Sequence, residues 1–122
     1  MVSYRMTLRI YGVDKIFGPG LATLLRGMEE HGSLQKSAAS MKLAYSKAWK
    51  MLKTAEEELG YSLADREAGG KNGGGSKLTP EGIRLLESYE AFRKDANEAV
   101  KGIFEKHFDF LEIKEDKSGS GD

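Results

Sequence analysis

The sequence predicts a mainly α-helical domain with a small β component. Three amphipathic helical patterns come first. A glycine-dense stretch between two short extended segments follows, and then one long helical pattern. At 122 residues, with 39% hydrophobic and 31% charged residues, the chain has the composition of one soluble globular domain. We expect that domain to cover residues 1–108 and a flexible acidic, Gly/Ser-rich tail to cover 109–122.

The chain opens with an alternating pattern. Every second residue from Tyr4 to Ile10 is apolar, and the residues between them are Arg or Thr. Alternation of this kind is typical of a strand with one buried face, so we predict a half-buried N-terminal strand over about residues 3–11. Residues 12–20 contain three glycines and a proline and are predicted to form a connector.

Apolar residues at helical spacing predict the three helices. The first pattern runs from Leu21 to Met28 and ends near Gly32, a common helix-ending residue. Ser33 follows and can cap a short second helix over about residues 34–41. After a brief turn, a third helix is predicted from Tyr45 to Leu59.

The second half of the chain predicts a hairpin and a long helix. Short extended segments near 62–66 and 77–79 flank the sequence AGGKNGGGS, which is typical of a flexible hairpin loop. Thr79 and Pro80 then form a strong helix start, and the helix is predicted over about residues 80–107.

This last helix carries an apolar stripe with a 3.5-residue repeat, spaced 4, 3, 4, 3, 4. Its members, which we predict as a dimer interface, are Leu85, Tyr89, Phe92, Ala96, Ala99 and Ile103. The alternative is that the stripe packs along the first helix of its own domain. We favour dimerisation through the distal half, because alanines permit close approach of two helices.

The predicted order is strand, three helices, hairpin and long helix, which is the arrangement of a winged helix-turn-helix. Residues 33–55 contain five lysines and no Asp or Glu, although the chain as a whole has 19 basic and 19 acidic residues. A helix-turn-helix places its second helix in the major groove of DNA, and acidic residues there would face a polyanion. The alternative interpretation is that the lysines form an ordinary solvated face.

We therefore predict double-stranded DNA as a partner, with the helix at about 45–59 as the recognition helix and the 67–76 hairpin on flanking backbone. Ser46, Lys47 and Lys50 are the expected base readers, whereas other lysines would position the protein on phosphates. Trp49 is expected to pack in the core or at its edge. The predicted DNA-binding residues are Lys36, Lys42, Tyr45, Ser46, Lys47, Lys50, Lys53, Thr54, Arg66, Lys71, Asn72 and Lys77.

Other chemistries are disfavoured. The chain has no cysteine, and its two histidines, His31 and His107, lie far apart in the sequence, so no zinc site is expected. The glycine stretch has the wrong order for a phosphate-binding P-loop, and no βαβ unit is predicted. We expect no catalytic residues, no cofactor and no enzymatic activity. With no signal peptide or membrane span, we expect a cytoplasmic protein.

The chain also resembles a known family. The segments FGPGLATLL (17–25), GSLQKSAA (32–39), YSKAW (45–49) and GGKNGGGSKLTPEG (69–82), followed by Leu85 and Leu86, are similar to the N-terminal DNA-binding domain of ModE-type, molybdate-responsive regulators. The winged helix of that family is itself similar to that of LysR-type regulators. The resemblance covers about residues 4–105.

The resemblance implies a homodimer that uses the long helix and the N-terminal strand and binds a palindromic site. It places Ser46, Lys47 and Lys50 on the DNA face, and Lys71 and Asn72 in the wing. Members that sense molybdate carry further domains after the long helix, so we do not expect this chain itself to bind molybdate. The alternatives are a protein-interaction module that does not bind DNA and an oxyanion-linked regulator that needs a separate sensor domain.

Overall fold

The computed structural model describes residues 2–66 and 76–111. The predicted fold class, a mainly α winged helix with a long C-terminal helix, is confirmed. In chain order the elements are β1 (Ile10–Tyr11), β2 (Lys15–Phe17), α1 (Pro19–His31), α2 (Leu34–Ser40), α3 (Tyr45–Leu59), β3 (Ala64–Arg66), β4 (Ser76–Leu78) and α4 (Pro80–His107). The predicted tail from residue 112 onward lies outside the described residues.

The N-terminal strand is shorter than predicted. Only Ile10–Tyr11 pairs, antiparallel to Lys15–Phe17, which falls in the stretch predicted as a connector. The burial alternation over residues 4–10 is nevertheless present. The segment is held to α4 by side chains instead of a ladder: the Tyr4 hydroxyl donates to the Asn97 carbonyl at 3.3 Å, and the Tyr89 hydroxyl donates to the Leu8 carbonyl at 2.8 Å.

The helix boundaries follow from local chemistry. Helix α1 begins at Pro19, two residues before the first periodic leucine, and ends at His31. The C-cap residue Gly32 follows, and its φ of 85° is left-handed. The Ser33 hydroxyl accepts a hydrogen bond from the Lys36 amide at 3.0 Å and so caps α2, as predicted. Helix α3 has the predicted bounds, Tyr45–Leu59, and Gly60 is its C-cap residue.

The core gathers residues from every helix around Phe17. Its ring packs against Tyr89 of α4 with centroids 4.8 Å apart, and Leu24, Leu52 and Leu86 are fully buried around it. This arrangement holds α3 against the domain from one side only and leaves its other side exposed.

An ion-pair cluster on the surface also joins α1 to α4. Arg26 contacts both Glu29 and Glu90. The Glu90 carboxylate, which accepts a hydrogen bond from Arg26, raises the pKa of the guanidinium.

The wing is packed against the start of α4 through a glycine. A Cβ at Gly82 would overlap the carbonyl of Leu63, a backbone atom just before β3. The Thr79 hydroxyl accepts from the Gly82 amide at 2.9 Å and donates to the Ser62 carbonyl at 2.8 Å. The base of the wing and the first turn of α4 are therefore one packed unit.

We expect Gly82→Ala to lower the free energy of unfolding by about 1–3 kcal/mol, because backbone atoms must move to admit the methyl group. The matched control is Gly102→Ala in the same helix, where a Cβ meets no atom within 4 Å. That change should raise stability by about 0.5–1 kcal/mol through the helix propensity of alanine. Urea denaturation of both variants measures the difference, and equal effects would contradict the packing described.

Candidate nucleic-acid interface

Helix α3 has one buried stripe, and the direction of its other side chains follows from it. Ala48, Leu52 and Ala55 each have 0% exposure. Their spacing of i, i+4 and i+7 places them on one side of the helix. Lys50 is two residues from both Ala48 and Leu52, about 200° around the axis, so it lies on the opposite side.

The structure leaves most of the predicted contact residues open to solvent. On α3, Ser46, Lys47 and Lys50 are exposed, and Tyr45 is 50% exposed. The remaining exposed members lie on α2, in the turn before α3 and on β4: Lys36, Lys42 and Lys77.

The lysines of residues 33–55 are not neutralised by neighbouring carboxylates. Within residues 2–66 and 76–111, the salt bridges involve only Arg26, His31 and glutamates of α1 and α4. None of the five ammonium groups on α2, the turn and α3 is therefore paired with a described carboxylate.

Two predicted contact residues are less open. Lys53 is half-buried, with its ammonium 5.7 Å from the centroid of the Trp49 ring in a cation–π arrangement. Trp49 itself is 41% exposed and is not one of the core residues, so the predicted position in the core is wrong. Thr54 is also half-buried. We place Lys53 and Thr54 at the margin of the candidate DNA-binding surface.

The turn between α2 and α3 is compact. Lys42 adopts a φ of 56°, in the left-handed region that a lysine seldom occupies. The amide of Leu43 donates to the Ala38 carbonyl at 2.9 Å, which closes the turn. Together the two helices and this turn form a helix-turn-helix.

The wing base is fixed to both ends of that motif. In the β3–β4 ladder Asp65 pairs with Lys77, and Arg66 pairs with Ser76. The Ser76 amide donates to the Gly32 carbonyl at 2.8 Å, at the end of α1. A carboxylate oxygen of Glu56, buried in α3, accepts from the Leu63 amide at 2.8 Å.

The comparisons with known proteins agree with this geometry. The family model described as bacterial regulatory helix-turn-helix protein, lysR family, matches residues 22–83. That span runs from α1 through the helix-turn-helix and the wing into the first turn of α4. The chain belongs to the lysR family of regulatory helix-turn-helix proteins. Its members are regulators, so the prediction that the chain is not an enzyme is confirmed.

Curated relatives carry the name ModE, which confirms the ModE-like resemblance. The transcriptional regulator ModE of Haemophilus influenzae is 33% identical over 81 residues, covering 66% of this chain and 32% of that protein. The molybdenum transport protein ModE of Azotobacter vinelandii is 32% identical over 83 residues, covering 68% of this chain and 31% of that protein. The DNA-binding transcriptional dual regulator ModE of Escherichia coli K12 is 30% identical over 107 residues, covering 87% of this chain and 37% of that protein. The chain thus spans about a third of the length of these relatives.

Two sets of predicted residues of this lysR-family domain cannot be placed on the surface. Lys71 and Asn72, predicted at the wing tip, lie outside the described residues, and for Arg66 only the backbone position in β3 is described.

None of the described helices is long and apolar enough to cross a membrane.

The predicted stripe on α4 divides into two parts. Tyr89 is 1% exposed and Leu85 is partly buried, both against the core of the same chain. Tyr89 therefore does not face outward as a dimer contact would, and here the alternative of packing within the domain applies. Farther along, Phe92 is 49% and Ile103 is 56% exposed, and Ala99 is also exposed, whereas Ala96 is half-buried.

Sequence reasoning missed the structural role of the acidic residues at the end of α3. In the sequence, residues 56–58 are three consecutive glutamates with no pattern that indicates what each side chain contacts. In the structure Glu56 accepts a hydrogen bond from the Leu63 amide at the wing base. Glu58 accepts a hydrogen bond from the Val13 amide, 2.9 Å away, in the turn between β1 and β2. Glu57, between them, is exposed. Sequence reasoning also missed Lys15, which lies in β2 beside α3.

We expect Glu56→Ala to lower the free energy of unfolding by about 1–3 kcal/mol, since it leaves a buried backbone donor without its acceptor. The matched control, Glu57→Ala, removes the same charge from an exposed site and should stay within about 0.5 kcal/mol of the unmodified chain. Thermal or urea denaturation measures both. A control as destabilised as Glu56→Ala would show that overall charge, and not the bond to the wing, is responsible.

Proposed function

We propose that this chain is the DNA-binding part of a homodimeric transcriptional regulator, with α3 in the major groove of a palindromic operator. The observation that carries the proposal is the solvent-exposed side of α3. It presents Ser46, Lys47 and Lys50 and is free of the described ion pairs. A helix held by its inner stripe and cationic on its outer side is what insertion between two phosphate backbones requires.

The proposed DNA contacts fall into two groups, those that would bind phosphates and those that would bind base edges. Lys36 and Lys42, on α2 and the turn, would bind phosphates next to the groove and set the orientation of the domain. Lys47 and Lys50 project from the first half of α3 and would reach base edges, where a lysine can donate to guanine O6 and N7. Ser46 can donate or accept at either kind of base pair.

The wing would contact DNA beside the groove. Lys77 is exposed at the wing base, and the base is held rigidly by the Glu56 and Ser76 hydrogen bonds. A fixed base would direct the glycine-rich segment toward the flanking backbone, where glycine permits close approach to phosphate. Lys71 and Asn72 are proposed contacts on the sequence pattern alone.

The homodimer would form through the distal part of α4. Phe92, Ala99 and Ile103 present exposed apolar surface on a helix that extends past its own core. Phe108 and Phe110, just after the helix, are 41% and 76% exposed. An amphipathic helix with an uncovered apolar side is commonly paired with a symmetric copy. A two-fold dimer would present two recognition helices to a palindromic site.

The Azotobacter relative is named a molybdenum transport protein, which favours an oxyanion-linked role for the whole regulator. We do not assign oxyanion binding to this chain. A protein-interaction module that does not bind DNA is the competing function, and the experiment below distinguishes it.

Lys50→Glu should weaken binding to duplex DNA at least tenfold, a loss of about 1.4 kcal/mol or more, because it places a negative charge in the groove. Stability should change by less than about 0.5 kcal/mol at this exposed site. Gel-shift titrations at two salt concentrations measure the affinity, and Lys94→Glu on the exposed side of α4 is the matched control. A chain that shifts no duplex at either salt concentration would favour the interaction module.

Ile103→Glu should dissociate the dimer while leaving the fold of each subunit intact, since Ile103 is exposed and outside the core. Sedimentation velocity over a concentration series should show at least a tenfold weaker self-association, whereas Lys94→Glu should resemble the unmodified chain. Unchanged sedimentation of the Ile103 variant would contradict an interface at the distal half of α4.

A further inference from the structure

A second hairpin lies beside α3, on the side away from the wing. Glu56 and Glu58 are two residues apart, so their side chains leave the helix about 200° apart. Glu56 bonds to the wing base, and Glu58 bonds to the turn between β1 and β2. Gly12 lies close to this second contact, since a Cβ there would overlap the Glu58 carboxylate in its present position. The recognition helix is therefore flanked by a hairpin on each side.

A cleft of about 400 Å³ separates this hairpin from α3. Three ammonium side chains line it, Lys15 from β2 and Lys47 and Lys50 from α3, while Asp14 contributes one carboxylate. Lys15 is exposed, like the two lysines opposite it. The hairpin thus adds a cation to the surface that carries the proposed DNA contacts, from a part of the chain 32 residues before Lys47.

We propose that this cleft receives a phosphate of the bound duplex, and that Lys15 is a phosphate-binding residue on a second, N-terminal wing. The inference rests on the proposed function. A helix lying in a major groove about 12 Å wide has a phosphate backbone along each of its sides. The β3–β4 wing faces one of them, and the β1–β2 hairpin faces the other.

The lining of the cleft suits a nucleotide backbone. The Lys15 ammonium would neutralise one phosphate group, while Ile16 and Met51 supply apolar surface for the carbon atoms of the adjoining sugar. Since no base edge is involved, Lys15 would add affinity and fix the position of α3 without adding sequence preference. Glu58 would act indirectly, by holding the hairpin at the correct distance from α3.

The test is the salt dependence of DNA binding by Lys15→Ala. Loss of one phosphate contact should reduce the slope of log K against log salt concentration by about 0.9 per subunit. Affinity in 0.1 M salt should fall about fivefold to tenfold per subunit. Lys15→Arg should retain both values, and Lys94→Ala, which removes an exposed cation from α4, should leave both unchanged.

Glu58→Ala provides a second readout that a general charge effect would not produce. Removal of a carboxylate near DNA should strengthen binding by electrostatics alone, whereas release of the hairpin should weaken it. We expect weaker binding in the unmodified background and no further weakening in the Lys15→Ala background.

A slope in Lys15→Ala equal to that of the unmodified chain would overturn the second wing, even if Lys50→Glu weakens binding as expected and the proposed function stands. Stronger binding by Glu58→Ala would also overturn it. If the unmodified chain binds no duplex at low salt, the proposed function fails, and this inference fails with it.

Discussion

The structure depends on how α3 is held: small and apolar residues on one side, cations on the other. Ala48 and Ala55 have no bulk beyond Cβ, so the helix can approach the core closely, and Leu52 between them fills the space. Because a helix rotates as a rigid body, burying this stripe also decides where Lys50 points. The same packing that stabilises the domain therefore orients its cationic surface.

Two carboxylates extend that orientation to the neighbouring hairpins. Glu56 and Glu58 each accept a backbone amide from a different hairpin, so the positions of Leu63 and Val13 follow from the position of α3. Every residue except proline supplies a backbone donor, so these bonds use no hairpin side chain and leave Lys15 and Lys77 available for other contacts. Acidic residues next to a DNA-binding surface would ordinarily weaken it. Here Glu56 is buried and Glu58 half-buried, and each is occupied by a hydrogen bond.

Much of this fold could be predicted from periodicity and capping. The bounds of α3 and α4 and the caps at Ser33 and Thr79 depend on residues close together in the sequence, and all were predicted correctly. The β1–β2 hairpin was missed because strands of two and three residues are too short to show alternation. Burial of Tyr89 within its own domain was also missed. The 3.5-residue apolar repeat on α4 indicates that the stripe packs against another surface, but it does not show whether that surface belongs to the same chain or to a second subunit.

Part of the candidate DNA interface could likewise be predicted from local sequence, and part could not. Exposure of Lys47 and Lys50 follows from the spacing of the buried stripe, and a single sequence suffices to predict it. The bond between Glu58 and Val13 joins residues 45 positions apart, and no local pattern indicates it. Lys15 becomes a candidate only once that bond has placed β2 beside α3.

We propose above all that the outer side of α3 faces the duplex. Chemical acetylation of lysines, read by mass spectrometry with and without bound DNA, tests it directly on the unmodified chain. We expect Lys42, Lys47 and Lys50 to be protected by the duplex, whereas Lys94 and Lys101 on α4 should remain as reactive as in the free protein. Protection confined to α4, or none on α3 in a complex that has demonstrably formed, would contradict it.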